Sequence, residues 1–187
     1  FKVDVGTDTI TDLGGSSGSE SDKLIISKDA TAKATVSVSF TATSDTVNHA
    51  DNAVTKAVLS TDTDGATIDM SDALGVFTLT GGAGVDKLTG GAGADTIDGG
   101  KGGDIITIAA AGHGDTDVMD GGADADVLQL STGKHTFADD GKLKDIETIK
   151  TASGGSEVIL SAQKEALTIT GDDGVDKITG GEGIDTI

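Results

Sequence analysis

The sequence contains no cysteine, no proline, no tryptophan and no tyrosine, and only four phenylalanines. Without cysteine, no disulfide can staple the fold, although that absence alone names no compartment. So few aromatics exclude one large globular core of bulky side chains. They point instead to a thin core of small residues, as a solenoid has. Basic residues are also scarce: 13 Lys and Arg stand against 32 Asp and Glu, for a formal net charge of −19. The basic stripe that phosphate contacts require is missing, which argues against nucleic-acid binding. No apolar run approaches the length of a transmembrane helix, so membrane insertion is not expected.

What the chain does have is glycine and aspartate in register. A nine-residue unit repeats across residues 81–129. It begins as Gly81-Gly82-Ala83-Gly84-Val85-Asp86-Lys87-Leu88-Thr89, then Gly90-Gly91-Ala92-Gly93-Ala94-Asp95-Thr96-Ile97-Asp98. A third copy runs Gly99-Gly100-Lys101-Gly102-Gly103-Asp104-Ile105-Ile106-Thr107. After a four-residue insert, weaker copies at 112–120 and 121–129 carry Asp117 with Met119 and Asp126 with Leu128. In these two, Asp115 and Asp124 replace the fourth-position glycine. Each unit fits G-G-x-G-x-D-x-U-x with U apolar, the nonapeptide of a calcium-binding parallel β-helix.

The pattern has a physical logic. Glycines turn the backbone sharply through positive φ, which aims carbonyl oxygens inward. The Asp adds a carboxylate to the same concave loop. Calcium takes six to eight oxygen ligands in irregular geometry, so two stacked turns can complete its shell. The residues after the Asp form a short strand. Its apolar member (Leu88, Ile97, Ile106, Met119, Leu128) points inside because side chains alternate along a strand. Asp-rich composition also describes disordered chains. Here, however, the acidic residues recur with glycines and apolar residues instead of forming blocks.

These units resemble the repeats of the RTX family of secreted bacterial proteins. The resemblance implies an all-β fold: a right-handed parallel β-roll or β-solenoid, with Ca²⁺ between turns two repeats apart. Residues 81–86 would then face residues 99–104 across one ion. The implied ligands are backbone groups of Gly81, Ala83, Gly90, Ala92, Gly99 and Lys101 and the carboxylates of Asp86, Asp95 and Asp104. Asp115, Asp117, Asp124 and Asp126 join them from the weaker copies, and Asp176 and Asp185 from a later block.

That later block belongs to a longer repeat. Ile68-Asp69-Met70-Ser71 through Phe77-Thr78-Leu79-Thr80 lines up with Val158-Ile159-Leu160-Ser161 through Leu167-Thr168-Ile169-Thr170, always 90 residues on. The match runs on into the nonapeptides, placing Asp86 against Asp176 and Asp95 against Asp185. The expected organisation is therefore degenerate rungs at 1–29, a β-rich spacer at 30–80, the roll at 81–129, a second spacer at 130–170 and the start of another roll at 171–187. In the first stretch, Asp8-Thr9-Ile10 and Asp22-Lys23-Leu24 copy the D-x-U step around a Ser-rich insertion at 16–21. Val36, Val38 and Phe40 alternate with Ser and Thr as one half-buried strand, and residues 54–60 suggest another, with a helix over 50–59 as the alternative. The second spacer reads as solenoid rungs carrying Ile146, Ile149, Val158, Leu160, Leu167 and Ile169; the alternative is a small antiparallel sandwich. Asp139, Asp140 and Asp145 are read as loop solvation. No signal peptide is present. The chain begins at Phe1 without Met and stops one residue short of a nonapeptide, so it reads as an internal piece of something longer.

No catalytic constellation stands out. His49, His113 and His135 form neither a zinc motif nor a nucleophilic triad. The Gly-rich loops lack the Walker G-K-[ST] and carry Asp, which repels phosphate. The expectation is a non-enzymatic, calcium-stabilised structural protein, similar to RTX-type bacterial surface-layer proteins. That similarity implies type I secretion to the cell surface and self-association into a layer or filament, with a cell-surface glycan or lipopolysaccharide as a candidate partner. The alternatives are an adhesin stalk or ice-binding module, and the RTX tail of a secreted protease, lipase or toxin.

Overall fold

A computed structural model describes residues 2–10, 24–36, 39–42, 46–48, 57–61, 65–110 and 116–187. Among them there is no helix, and every strand pairing is parallel. The chain winds as a β-solenoid, and the antiparallel sandwich is excluded. His49, His113, Asp115, Val38, Asp22, Lys23 and residues 16–21 lie outside the described residues, as does 50–56 of the alternative helix.

The strands are short because the sequence punctuates them. In the roll, a glycine turn and an Asp precede each three- or four-residue step, such as Lys87–Thr89 and Thr96–Asp98. The central residue of each step points inward. Stacked in register, these residues form two apolar ladders. The seven-stranded sheet stacks Phe40, Ile68, Leu88, Ile106, Leu128, Ile149 and Ile169. The eight-stranded sheet stacks Ile10, Ala34, Leu59, Leu79, Ile97, Met119 and Leu143. All fourteen are buried and belong to one core. Flanking Thr residues point outward, where β-branched side chains suit a pleated surface.

The spacer changes which walls face each other. The coil from Val127–Leu130 through Gly133–Thr136 to Leu143–Lys144 places one strand in each of three sheets. Beyond it, the three-stranded sheet replaces the eight-stranded one as the partner of the seven-stranded sheet. The inward ladder of the new wall is His135, Val158 and Ile178. His135 is thus a core residue: it is fully buried, with Nε2 2.8 Å from the Ser131 carbonyl.

The 90-residue repeat holds at the level of single hydrogen bonds. Thr61 Oγ1 donates to Asp86 Oδ2 at 3.0 Å, and Thr151 Oγ1 to Asp176 Oδ2 at 3.2 Å. Ala66 N–H donates to Asp86 and Ser156 N–H to Asp176. Phe77 N–H donates to Asp95 and Leu167 N–H to Asp185. The same contacts sit one wall further round in the second copy, because Lys87–Thr89 lies in the seven-stranded sheet and Lys177–Thr179 in the three-stranded one.

One expectation needs correction in detail. Val36 and Phe40 are both buried, but they end and begin separate strands, Ile25–Val36 and Ser39–Thr41, in different sheets. They stand in two different walls, where alternation alone suggests one strand. The N-terminal stretch forms strands of 9 and 12 residues, Lys2–Ile10 and Ile25–Val36, longer than the steps of the roll.

Candidate metal centre

The turns between rungs bring backbone oxygens and carboxylates together. A Cβ built on Gly81 would collide with the Gly99 carbonyl oxygen, one on Gly99 with that of Gly121, and one on Gly121 with that of Asp145. Only glycine permits this close stacking of successive coils. The same three points lie 2.8, 2.5 and 2.6 Å from the Oδ2 atoms of Asp86, Asp104 and Asp126. One carbonyl oxygen and one carboxylate oxygen therefore converge at each level.

The carboxylates also tie the coils together. Each Oδ1 accepts the N–H of the matching residue one coil earlier: Asp86 from Ala66 at 2.6 Å, Asp104 from Asp86 at 2.8 Å and Asp126 from Asp104 at 2.7 Å. This column runs along the edge that precedes the seven-stranded sheet. A second column, preceding the eight-stranded sheet, is built the same way from Phe77, Asp95 and Asp117. All five of these Asp are buried. The structure thus brings residues 81–86 face to face with 99–104, as the nonapeptide pattern implies.

Electrostatically the columns are incomplete as they stand. Asp86 Oδ2 has partners in Gly82 N–H and the Thr61 hydroxyl. The buried Oδ2 atoms of Asp104 and Asp126 have none. Burial pushes Asp104 up to about 7, the N–H of Asp86 opposes this, and the carboxylates of Asp126, Asp86 and Asp98 add to it. Burial likewise pushes Asp117 up to about 7, against the Asp95 N–H bond, and raises Asp126. A buried ionised carboxylate with a bare oxygen is costly unless a cation pairs with it. Hard oxygen donors, several of them neutral carbonyls, suit Ca²⁺. Among the described residues no three acidic or histidine side chains converge, so the backbone must supply the remaining ligands. The residues present fit the ion, which would neutralise and cross-link the stacked turns when bound.

The other expected residues fall into place around the columns. Gly90 is buried beside Asp95, whose Oδ2 accepts Gly91 N–H at 2.7 Å. Ala83, Ala92 and Lys101 have exposed side chains at the outer corners, where only their backbone can serve. Asp176 and Asp185 are half-buried in the last coils and repeat the contacts of Asp86 and Asp95. Asp124 is exposed; its Oδ2 accepts Gly102 N–H at 3.2 Å, and its φ of 84° copies the 108° of Gly102. It serves the turn, at a conformational cost that glycine avoids. Asp124→Gly is expected to raise stability in saturating calcium by about 1 kcal/mol, read as a higher thermal midpoint.

Two features escaped the motif. Thr61 and Thr151 donate to column carboxylates from 25 residues away, signalled only by their places in the 90-residue repeat. Glu147 accepts Asp126 N–H at 2.8 Å. Its signal is Glu147-Thr148-Ile149, a D-x-U step with Glu for Asp. Of the loop acids, Asp139 caps its own turn through Gly141 N–H, Asp140 pairs with Lys164, and Asp145 with Lys144.

A family model described as the RTX calcium-binding nonapeptide repeat (4 copies) matches residues 78–106, 111–129 and 168–187. No curated protein and no solved structure matches the chain. The matched segments are the same turns that build the Asp columns. The nonapeptide segments of this chain are thus similar to RTX calcium-binding repeats, and they wind into a parallel β-solenoid.

Proposed function

We propose that the chain is a non-enzymatic structural segment of a bacterial cell-surface protein, a surface-layer or filament subunit that leaves the cell unfolded and folds on meeting calcium outside. The observation that carries this reading is the 90-residue repeat, whose hydrogen bonds recur one by one around two successive calcium-type turns. A tandem array of such units is quasi-one-dimensional, since each unit buries its apolar face against its neighbours. Length is then cheap to add, which suits a scaffold. Secretion by a type I route and a glycan or lipopolysaccharide anchor on the cell belong to the same proposal. Sites of carbonyls and single carboxylates fit the extracellular calcium range of ~10⁻⁴–10⁻³ M.

Calcium titration followed by circular dichroism and light scattering, with magnesium as control, tests the reading. A calcium-specific gain of β signal with a concentration-dependent rise in scattering is expected. A gain of β signal without scattering at any protein concentration overturns self-assembly and leaves a stalk or tail.

A further inference from the structure

We infer that the column along the seven-stranded sheet continues one coil past the nonapeptides and holds a further Ca²⁺ between Asp126 and Glu147. This rests on the calcium reading of the columns and extends it to residues that carry no nonapeptide.

Four observations converge on this level. Glu147 takes the Asp place in the stack: its Oε2 accepts Asp126 N–H at 2.8 Å, as Asp126 Oδ1 accepts Asp104 N–H one coil below. Asp126 is 1% exposed, and its Oδ2 has no hydrogen-bond partner. That atom and the Asp145 carbonyl oxygen of the next coil both lie within 2.6 Å of the point where a Cβ on Gly121 would stand. The arrangement copies the levels at Gly81 and Gly99, where a carbonyl of the next coil and a buried Oδ2 converge. Asp145 lies where Gly99 and Gly121 lie in the coils below, since Gly121 N–H donates to Lys144 O as Gly99 N–H donates to Asp120 O. It reaches that place with a φ of 47°.

The neighbouring column ends differently. Above Asp117, Lys142 Nζ donates to the Thr116 carbonyl at 2.9 Å, so an ammonium stands at the end of that stack. Along the seven-stranded sheet the corresponding level offers a carboxylate. Lys144 is close by, but its Nζ is spent on the side chains of Asp120 at 2.6 Å and Asp145 at 2.8 Å. Its side chain is 58% exposed, outside the buried Oδ2 of Asp126. The donor set is then carboxylate oxygens of Asp126 and Glu147 plus backbone carbonyls, which suits a hard divalent cation. Glu147 itself is exposed, so the ion has an open approach from solvent.

Glu147→Gln tests this, because the amide oxygen still accepts the Asp126 N–H while the charge is gone. Calcium stoichiometry of the full chain, by native mass spectrometry and calorimetry with Ca²⁺ alone, should fall by one ion per chain. Glu147→Asp should restore it. Wild-type stoichiometry in Glu147→Gln overturns the inference while leaving the roll intact; absence of calcium binding by the wild-type chain overturns both. Should Glu147→Gln fail to fold, carbodiimide labelling of the wild-type chain in saturating calcium decides. Glu147 should be protected relative to the exposed Glu182, and equal labelling of the two overturns the site.

Discussion

Chelating calcium at pH 8 is expected to abolish the β signal of this chain, and lowering the metal-free chain to pH 5.5 is expected to restore much of it. At pH 8 without metal, Asp104 and Asp117 are ionised in buried positions, and the buried Asp104 and Asp126 each keep an oxygen with no partner. Calcium removes that penalty by pairing with the charge. A proton removes it by deleting the charge. Asp104 and Asp117 titrate at about 7 in the folded chain against an ordinary value of 3.8. The folded state therefore binds protons more tightly than the unfolded one, and its stability falls as pH rises between those two values. Each pH unit inside that window is worth about 1.4 kcal/mol per carboxylate. Acid thus stabilises the metal-free solenoid, opposite to the usual carboxylate that is salt-bridged when folded. The lower limit is practical: with an isoelectric point near 4.1, the chain loses its net charge and self-associates below pH 5. The same linkage predicts proton release on calcium uptake near pH 5.5, where the metal-free chain is folded with these carboxylates protonated, measurable by calorimetry in buffers of different ionisation enthalpy. A metal-free chain that stays equally unfolded from pH 8 to pH 5.5 would refute the account of the buried carboxylates.

Much of this was legible in the sequence, for a physical reason. Short strands have a side-chain period of two, so the residue after D-x must be the inward one. Leu88, Ile97, Ile106, Met119 and Leu128 all stand in the ladders on that basis. The offset of 90 was legible as well, because it preserves whole hydrogen-bonded turns and not merely composition. The exchange of walls in the spacer was not. It depends on the strand Gly133–Thr136, whose inward residue is His135, and a histidine at the apolar place hides the strand from hydropathy. The placing of Val36 and Phe40 in different sheets was hidden for the opposite reason: the alternation runs through both. Glu147 was missed because the pattern specifies Asp, whereas the stack needs only an oxygen that reaches the N–H below.

Replacing the centre of a column is expected to cost far more than replacing its end. Asp104 is bonded to both neighbours: its Oδ1 accepts Asp86 N–H, and its own N–H donates to Asp126 Oδ1. Its Oδ2 and the Gly121 carbonyl both crowd Gly99. Asp104→Ala removes an acceptor and a charge together. The buried Asp86 N–H is left unsatisfied at about 1–3 kcal/mol, and the levels on either side lose a ligand. The calcium midpoint should rise at least about tenfold, equivalent to about 1.4 kcal/mol, and the transition should broaden as adjacent levels uncouple. Asp104→Asn separates the two effects, because its amide oxygen keeps the Asp86 N–H bond. It should lose calcium affinity nearly as far as Asp104→Ala while keeping more stability in saturating calcium. Asp185→Ala, at a half-buried place in the last coil with Leu167 N–H as its neighbour, should shift the midpoint by less than about threefold. Circular dichroism against free calcium, run on the three variants side by side, reads all of this. Equal shifts for Asp104→Ala and Asp185→Ala would mean that the levels bind independently. The column would then be a row of separate sites, not a cooperative stack in which each carboxylate serves the coils on both sides.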